Sequence, residues 1–373
     1  TVVAITNTYV PGCLNVTKDV VLGDVVNPAG ISETFTVYVT GPSYPTAPGH
    51  EVTFTLTAGE LVGDDYACLC DLIPGDYTVS EVDPGDAWDV TYVPADGTVA
   101  VGAGDTCADT VVAITNTYVP GCLNVTKRID WQDAIPIDGV TFEICIVGPS
   151  YPTGTEPGAC QRATYPDTLK LEWCGLIPGE YTIVETDPAI TNPEHSDRWE
   201  EVVITVSPTM VLAGDPCATA TVENTFIPYG CTLTWGYWKT HSEYGPAPYD
   251  DTWGLLDAND DGTYEGADEE FFGTGKTYYE ILQTKEKGGN AYIILAHQYI
   301  ATELTSLMPD NEDLPDEIGL VLIEAADLLK EYENQMNIPK RGPTAADRAR
   351  AIELASILDN FNNGLYPGWK HCD

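Results

Sequence analysis

The chain has 373 residues, of which 43% are hydrophobic, so it can bury proper cores and is not expected to be disordered. Its 58 acidic and 16 basic residues give a formal net charge of -42, which excludes nucleic acid as a partner and favours cations, Ca²⁺ above all. The 11 cysteines lack a CxxC zinc pattern and indicate disulfides in a secreted, extracellular or cell-surface protein. No apolar run reaches the roughly 18 residues that a membrane span needs.

The chain begins with the segment TVVAITNTYVPGCLNVTK, which recurs letter for letter at residues 110–127. Such identity marks an internal repeat. The segment has an alternating run, a VPG hinge and a second alternating run, which indicates the last strand of one domain followed by the first strand of the next. We therefore expect residues 1–10 to be a closing strand without a domain of its own, and a candidate donor strand for another subunit.

Two stretches of alternating apolar and polar residues follow, at 11–120 and 121–229. In the first, turns rich in Pro, Gly and Asp separate the runs LNVTKDVVL, ETFTVYVTG, HEVTFTLTAGE, DYTVSEV and TVVAITNTYV. The second repeats this plan with LNVTKRI, VTFEICIVG, LKLEWCGL, EYTIVET, EEVVITV and TATVENTF. Period-two alternation with frequent turns predicts two tandem all-β, Ig-like sandwiches.

Residues 230–373 have a different character. Apolar residues recur there at helical spacing in TYYEILQTK, NAYIILAHQYIATELTSLM, DEIGLVLIEAADLLKEYENQM and TAADRARAIELASILDNF. This pattern predicts a mainly helical C-terminal domain, with His297 in its core. Its opening GYWKTH, Gly236 to His241, is similar to the GYWKNH opening of a module found in secreted surface proteins.

Lys18 is the only lysine or arginine among the first 121 residues, and it lies inside a predicted strand. Strand parity places it on the same face as Leu14 and Val16, which predicts that its amine points into the core. By the same parity Glu81 and Asn116 also point inward. The second repeat has the corresponding set Lys127, Glu185 and Asn224.

Burial of an amine, a carboxyl and an amide together predicts a specific reaction. A desolvated lysine loses its proton and becomes a nucleophile, and a desolvated carboxyl keeps its proton and can polarise an amide carbonyl. The amine can then displace ammonia from the asparagine and leave a Lys–Asn isopeptide bond. The alternative is a buried Lys–Glu ion pair with a hydrogen-bonded asparagine, which stabilises a fold poorly.

This arrangement resembles the CnaB or SpaA-type domains of Gram-positive pilins and adhesins over about residues 11–228. The resemblance implies a prealbumin-like sandwich in which a first-strand lysine bonds a last-strand asparagine, with catalysis by the glutamate of a Y-x-L-x-E type strand. The matching motifs are YTVSE with Glu81 and YTIVE with Glu185, which carry Val or Ile where the family often has Leu. Asn116 in ITN and Asn224 in VEN match the family's asparagine.

The cysteines predict several disulfides. Cys145 and Cys160 flank a hairpin tip and are both absent from the first repeat, so we expect them to pair. Three positions are shared between the repeats, namely Cys13, Cys70 and Cys107, and Cys122, Cys174 and Cys217. Both Cys13–Cys107 with Cys122–Cys217 and Cys70–Cys107 with Cys174–Cys217 are allowed. Cys231 and Cys372 bracket the helical domain and are predicted to close it, and Cys68 is the candidate for a bond to another chain.

Two further kinds of site are predicted. The oxygens of Asp257, Asn259, Asp261, Thr263 and Asp268 have the spacing of a Ca²⁺ loop and resemble those of EF-hands and dockerins. The alternative is a solvated acidic turn. Asn15 and Asn124 lie in N-x-T glycosylation sequons, on the outward faces of their strands.

These observations favour a structural protein over an enzyme. The first hypothesis is a subunit of an extracellular filament, pilus or sheath, assembled with copies of itself by N-terminal strand donation. The alternative is a stalk-and-tip cell-surface adhesin whose helical domain binds a surface or glycan ligand. In that case residues 1–10 would be the remnant of a longer repeat array.

Overall fold

The computed structural model describes residues 7–214, 216–259, 261–341 and 344–372. It confirms the predicted order of β-sheet sandwiches followed by a helical region. The chain divides into two compact units, residues 7–128, 141–192 and 202–223 in the first and 129–140, 193–201 and 224–372 in the second. Among the helices of these residues, none has both the length and the apolar character that crossing a membrane requires.

The first sandwich consists of β1 (Gly12–Val21), β2 (Glu33–Thr40), β3 (His50–Thr57), β4 (Glu60–Val62), β5 (Tyr66–Leu72), β6 (Gly75–Glu81), β7 (Trp88–Val93), β8 (Thr98–Val101) and β9 (Val111–Tyr118). One sheet has the order β5-β1-β9-β7 and the other β4-β3-β2-β6-β8. Alternate residues of both sheets form one buried core, because successive side chains of a strand point to opposite faces. The first strand β1 and the last strand β9 are parallel neighbours.

The second sandwich repeats this plan with β10 (Gly121–Asp130), β11 (Thr141–Val147), β12 (Cys160–Thr164), β13 (Lys170–Leu176), β14 (Gly179–Glu185), β15 (Val203–Thr205), β16 (Thr209–Val211) and β17 (Ala218–Thr225). Its sheets have the orders β13-β10-β17-β15 and β12-β11-β14-β16. A short helix, α1 (Pro188–Thr191), follows β14. The first strand β10 and the last strand β17 are again neighbours.

The helical region contains α2 (Trp235–Thr240), α3 (Tyr278–Gln283), α4 (Ala291–Ser306), α5 (Asp316–Glu331) and α6 (Ala345–Asn362). Helix α4 is buried on nearly every face and forms the centre of the core, whereas α5 buries one side only. A capping box between Thr277 and Glu280 begins α3. Two short parallel strands, β18 (Gly230–Thr232) and β19 (Trp369–His371), join the ends of the region.

Candidate functional site

Three strands of the first sandwich bring Lys18, Glu81 and Asn116 together. Lys18 lies on the inward face of β1 and is 3% exposed, and Asn116 on β9 is 0% exposed. In the parallel register of these strands Lys18 is opposite Ile114 and Val20 is opposite Asn116, so the lysine and the asparagine lie on neighbouring inward positions. Glu81, at the end of β6, reaches them from the opposite sheet.

The carboxylate of Glu81 bridges the other two side chains. Lys18 Nζ donates to Glu81 Oε2 at 3.1 Å and to Oε1 at 3.3 Å, and Asn116 Nδ2 donates to Oε1 at 2.8 Å. The ring of Phe35 covers the amine, with its centroid 4.3 Å from Nζ. The buried Oδ1 of Asn116 accepts no hydrogen bond from any described residue.

Burial controls the electrostatics of this cluster. Desolvation lowers the pKa of Lys18, and the charge and hydrogen bonds of Glu81 oppose that shift. Because the lysine side chain is 0% exposed and that of Glu81 1%, water does not screen the pair. Transfer of one proton from Lys18 to Glu81 would make both groups neutral, which is the arrangement that a low-dielectric site favours.

The second sandwich has the same lysine–glutamate pair. Lys127 Nζ lies 3.3 Å from Glu185 Oε1, and both side chains are fully buried. The ring of Phe142 covers the amine at 4.2 Å, and desolvation lowers the pKa of Lys127 to about 8. Asn224 is fully buried on β17. The predicted bonds Lys18–Asn116 and Lys127–Asn224 stay predictions.

Five disulfides are formed among the described residues, and the shared cysteine positions pair differently in the two sandwiches. Cys122 bonds Cys217, Cys145 bonds Cys160 and Cys231 bonds Cys372. In the first sandwich both predicted schemes are wrong, because the bonds are Cys13–Cys70 and Cys68–Cys107.

The two sandwiches differ because β5, which pairs antiparallel with β1, carries Cys68 opposite Asn15, whereas β13 carries Glu172 opposite Asn124. An irregularity between Gly12 and Leu14 sets Cys13 beside Cys70, with their Cα atoms 4.1 Å apart. Cys68 therefore bonds Cys107 and is not the candidate for an interchain bond. Cys174 of the second sandwich is exposed, with its sulfur 3.4 Å from Glu172 Oε1.

The predicted Ca²⁺ loop has its oxygens turned towards its own backbone. Asp257 Oδ1 and Asn259 Oδ1 accept from the amide of Asp261 at 3.1 and 2.9 Å, and Asp261 Oδ1 accepts from Thr263 at 2.8 Å. Asp268 is exposed, and its carboxylate accepts from the hydroxyl of Tyr244. In the parts of the chain described, no three carboxylates of this loop bring their oxygens within 4.8 Å of one another.

Two further buried carboxyls were not singled out from the sequence. Glu269 is 0% exposed, and its burial raises its pKa, as do the neighbouring carboxylates of Glu265, Asp257 and Asp261. On α4, burial raises the pKa of Glu303 to about 7. The tyrosines that hydrogen bond to Glu303 are Tyr278 and Tyr299. In a chain with 58 acidic residues no sequence signal separates these two, because burial depends on tertiary packing.

Three predicted features remain, namely the closing strand at residues 1–10, the two sequons and the GYWKTH motif. Residues 1–6 of the predicted closing strand lie outside the described residues, and 7–10 are exposed and belong to no strand. The sequon residues Asn15 and Asn124 are partly exposed, and Asn15 Oδ1 is buried. In GYWKTH, Trp238 is fully buried and the ring of His241 stacks on Tyr237 with centroids 3.8 Å apart.

No protein-family model matches the chain, and no curated protein matches it. Several solved structures are similar. The Bacillus anthracis TIE protein is 17% identical with a TM-score of 0.33, over 60% of this chain and 36% of that one. The Streptococcus pyogenes major pilin T-13 is 12% identical with a TM-score of 0.33, over 59% and 99%.

A single B repeat of the collagen-binding surface protein of Staphylococcus aureus is 14% identical with a TM-score of 0.21, over 58% of this chain and 98% of that one. The chain thus spans about a third of the Bacillus protein, 36%, and nearly all of the other two. At these identities and scores the likeness carries no argument about function. The fold and site described above rest on strand pairing and side-chain contacts within this chain.

Proposed function

We propose that this protein is a structural subunit of an extracellular filament, pilus or sheath, in which isopeptide bonds and disulfides cross-link the sandwiches. The observation that supports this most is the buried Lys18–Glu81–Asn116 cluster between the first and last strands of a sandwich. A buried ion pair adds little stability by itself, so its presence in both sandwiches calls for another use.

The proposed reaction needs no cofactor. After a proton moves from Lys18 Nζ to Glu81, the neutral amine attacks Cγ of Asn116. Rotation of the amide turns its buried oxygen towards the Glu81 carboxyl, which donates a hydrogen bond to the developing oxyanion. Glu81 then transfers its proton to the amide nitrogen and takes the second proton from the former Lys18 nitrogen; ammonia leaves, one C–N bond has replaced another, and Glu81 ends protonated. The phenyl ring of Phe35 excludes water that would otherwise compete.

The position of the bond is suited to a protein under tension. Because β1 and β9 are parallel neighbours, a pull on the two ends of the sandwich shears these strands past each other. A bond from Lys18 to Asn116 would carry that force directly from the first strand to the last. The 97 residues between them, 19–115, would bear none of it.

Strand donation is the proposed mode of assembly. Residues 1–9 repeat 110–118 letter for letter, and the copy at 110–118 contains β9, which closes a sheet beside β1. A segment with the same sequence can make the same backbone pairing with another subunit. Head-to-tail pairing of this kind generates filaments.

Mass spectrometry tests the bond. The reduced, denatured chain should be lighter than its sequence mass by one ammonia for each isopeptide bond. The deficit of the variant Glu81→Gln, measured against its own sequence mass, should be smaller than that of the wild type by one ammonia, because Gln cannot exchange the proton. The full sequence mass in the wild-type protein would refute the reaction.

Electron microscopy tests the assembly. The whole chain should form ordered polymers, and a variant that lacks residues 1–12 should not. A monodisperse monomer under every solution condition would contradict the filament, whatever the mass measurement shows.

A second candidate function is a stalk-and-tip adhesin. The second compact unit has a cleft of about 640 Å³ lined by Tyr229, Tyr366 and the carboxylates of Glu194, Asp313 and Asp316. Aromatic rings with a few convergent polar groups are typical of ligand pockets. Binding of a glycan by the whole chain, and its loss in Tyr366→Ala, would favour this function over the filament.

A further inference from the structure

The backbone after the acidic loop directs two adjacent carboxylates in opposite directions. Gly266 has φ +60°, a conformation that residues with a side chain rarely adopt, and a Cβ there would lie 3.3 Å from the carbonyl oxygen of Trp253. A single 3-10 turn, Gly266–Asp268, follows. As a result Asp268 is exposed and Glu269 is buried.

Asp268 already has a partner away from the loop, since its carboxylate accepts from Tyr244. Glu269 is held at both ends of its backbone, because its amide donates to Gly266 at 3.2 Å and its carbonyl accepts from Tyr278 at 2.9 Å. Its side chain turns back under the loop, where Oε1 accepts from the amide of Glu265 at 3.2 Å.

The second oxygen of this carboxylate has no such partner. Glu269 is 0% exposed, and Oε2 is buried without a hydrogen bond to any described residue. A buried polar atom in this state is unfavourable, and more so when it is charged. A cation bound in the loop would remove that cost.

We propose that Glu269, rather than Asp268, supplies the carboxylate that closes a Ca²⁺ site in this loop. The other ligands are the side-chain oxygens of Asp257, Asn259 and Asp261 and the carbonyl of Thr263. With a bidentate Glu269 they provide six oxygens, which is within the six to eight that Ca²⁺ takes. Mg²⁺ fits less well, because it keeps several waters and one or two carboxylates.

This assignment extends the loop by one residue relative to the spacing of an EF-hand, from position 12 to position 13. The turn at Gly266–Asp268 accommodates the additional residue. The loop must contract around the ion, because its carboxylates do not gather within 4.8 Å in the described residues. The site is independent of the isopeptide cluster, so either proposal can fail without the other.

Calorimetric titration of the whole chain with Ca²⁺ in chelator-treated buffer tests the proposal, with Asp268→Asn as a matched neighbour control. The wild-type protein should bind one ion, with a dissociation constant on the order of 0.1–1 mM as in extracellular modules. Asp268→Asn should change this constant less than about threefold, whereas Glu269→Gln should weaken it at least tenfold. Each substitution removes one negative charge, so a general electrostatic effect would appear equally in both.

Folding of Glu269→Gln is checked by circular dichroism without Ca²⁺. If that variant does not fold, Glu269→Asp keeps the charge but withdraws the oxygens by one methylene, and it should also weaken binding. Absence of binding by the wild-type protein at millimolar Ca²⁺ would overturn the proposal. So would a loss of affinity in Asp268→Asn that equals or exceeds that of the Glu269 variants.

Discussion

The proposed isopeptide bond between Lys18 and Asn116 should stabilise the first sandwich by an amount that depends on the disulfides. Without disulfides the bond closes a ring of 98 residues, which corresponds to about 4.7 kcal/mol of lost chain entropy in the unfolded state. With Cys13–Cys70 and Cys68–Cys107 intact, the shortest path between the two residues runs through both bridges. That path contains segments of 5, 2 and 9 residues, 16 in all, and a ring of this size corresponds to about 3.1 kcal/mol.

The perturbation is Glu81→Gln, which removes the proton carrier and keeps the shape. It also leaves Lys18 buried without its carboxylate, and that cost is the same in oxidised and reduced protein. The difference between the two conditions therefore isolates the ring. The loss of stability should be about 1.6 kcal/mol larger in reduced protein than in oxidised protein.

Native-state hydrogen exchange of peptides from β1 and β9 measures the opening of this sandwich separately from the rest of the chain. The variant is compared with the wild-type protein with and without reductant. An equal loss in both conditions would refute the ring argument. No loss at all in either condition would refute the bond.

Three further results are expected. In single-molecule pulling of the reduced protein, in which Cys13–Cys70 and Cys68–Cys107 no longer bridge the sandwich, the wild type should not release residues 19–115 but Asn116→Ala should, and full extension of the wild type would contradict the predicted path of force. Burial lowers the pKa of His297, so the stability of the helical unit should fall as the pH drops below about 6.5, whereas a His297→Gln variant should lose less stability between about pH 7 and 5 in thermal melts. A Cys231→Ser, Cys372→Ser double variant should lose about 5 kcal/mol in denaturant unfolding followed by tryptophan fluorescence, because that disulfide closes 141 residues.

The pH prediction follows from how His297 is held. Nε2 lies 3.1 Å from the carbonyl oxygen of Ile281, so this nitrogen carries the proton of the neutral ring. Burial and, to a smaller extent, the charge of Lys239 lower the pKa of His297, and Glu286, which lies 3.3 Å from Nδ1, opposes that shift. Trp235 stacks on the ring. The unfolded chain takes up a proton near pH 6.5 and the folded chain only at lower pH, so acid favours unfolding. The same pH dependence in His297→Gln as in the wild type would remove this group as the cause.

The sequence predicts the inward direction of Lys18, Glu81 and Asn116 well, because alternation in a strand has a period of two and each of these residues shares parity with apolar neighbours. The sequence also predicts helices α3, α4, α5 and α6, since their apolar positions recur at helical spacing. Both patterns are local, so they do not depend on which strands become neighbours.

Strand β5 was not predicted, and the disulfide scheme failed with it. The strand has the sequence YACLCDL and lies, partly exposed, at the edge of a sheet. Its aspartate and cysteines interrupt the alternation of apolar and polar residues that would otherwise reveal a strand. Its pairing with β1 is long-range, and only that pairing sets Cys70 beside Cys13. The proposed choice of Glu269 over Asp268 as a Ca²⁺ ligand could not be predicted for a similar reason. The backbone conformation at Gly266 decides which of the two adjacent acids points inward.

The four sulfurs on the outer face of the first sandwich have a practical consequence for any chemist who maps the disulfides. Cys68 Sγ lies 3.7 Å from Cys70 Sγ, and the sulfurs of Cys13, Cys70 and Cys107 lie within 4.8 Å of one another. A trace of thiol at alkaline pH would open one bridge and leave a thiolate in reach of the other, so the bonds would exchange within the cluster. Exchange to Cys13–Cys107 and Cys68–Cys70 would detach β5 from its neighbours and still show no free thiol. Peptides for disulfide mapping should therefore be prepared at acidic pH, after alkylation of free thiols. Digestion in an alkaline buffer would give exchanged disulfide pairings instead of those in the folded protein.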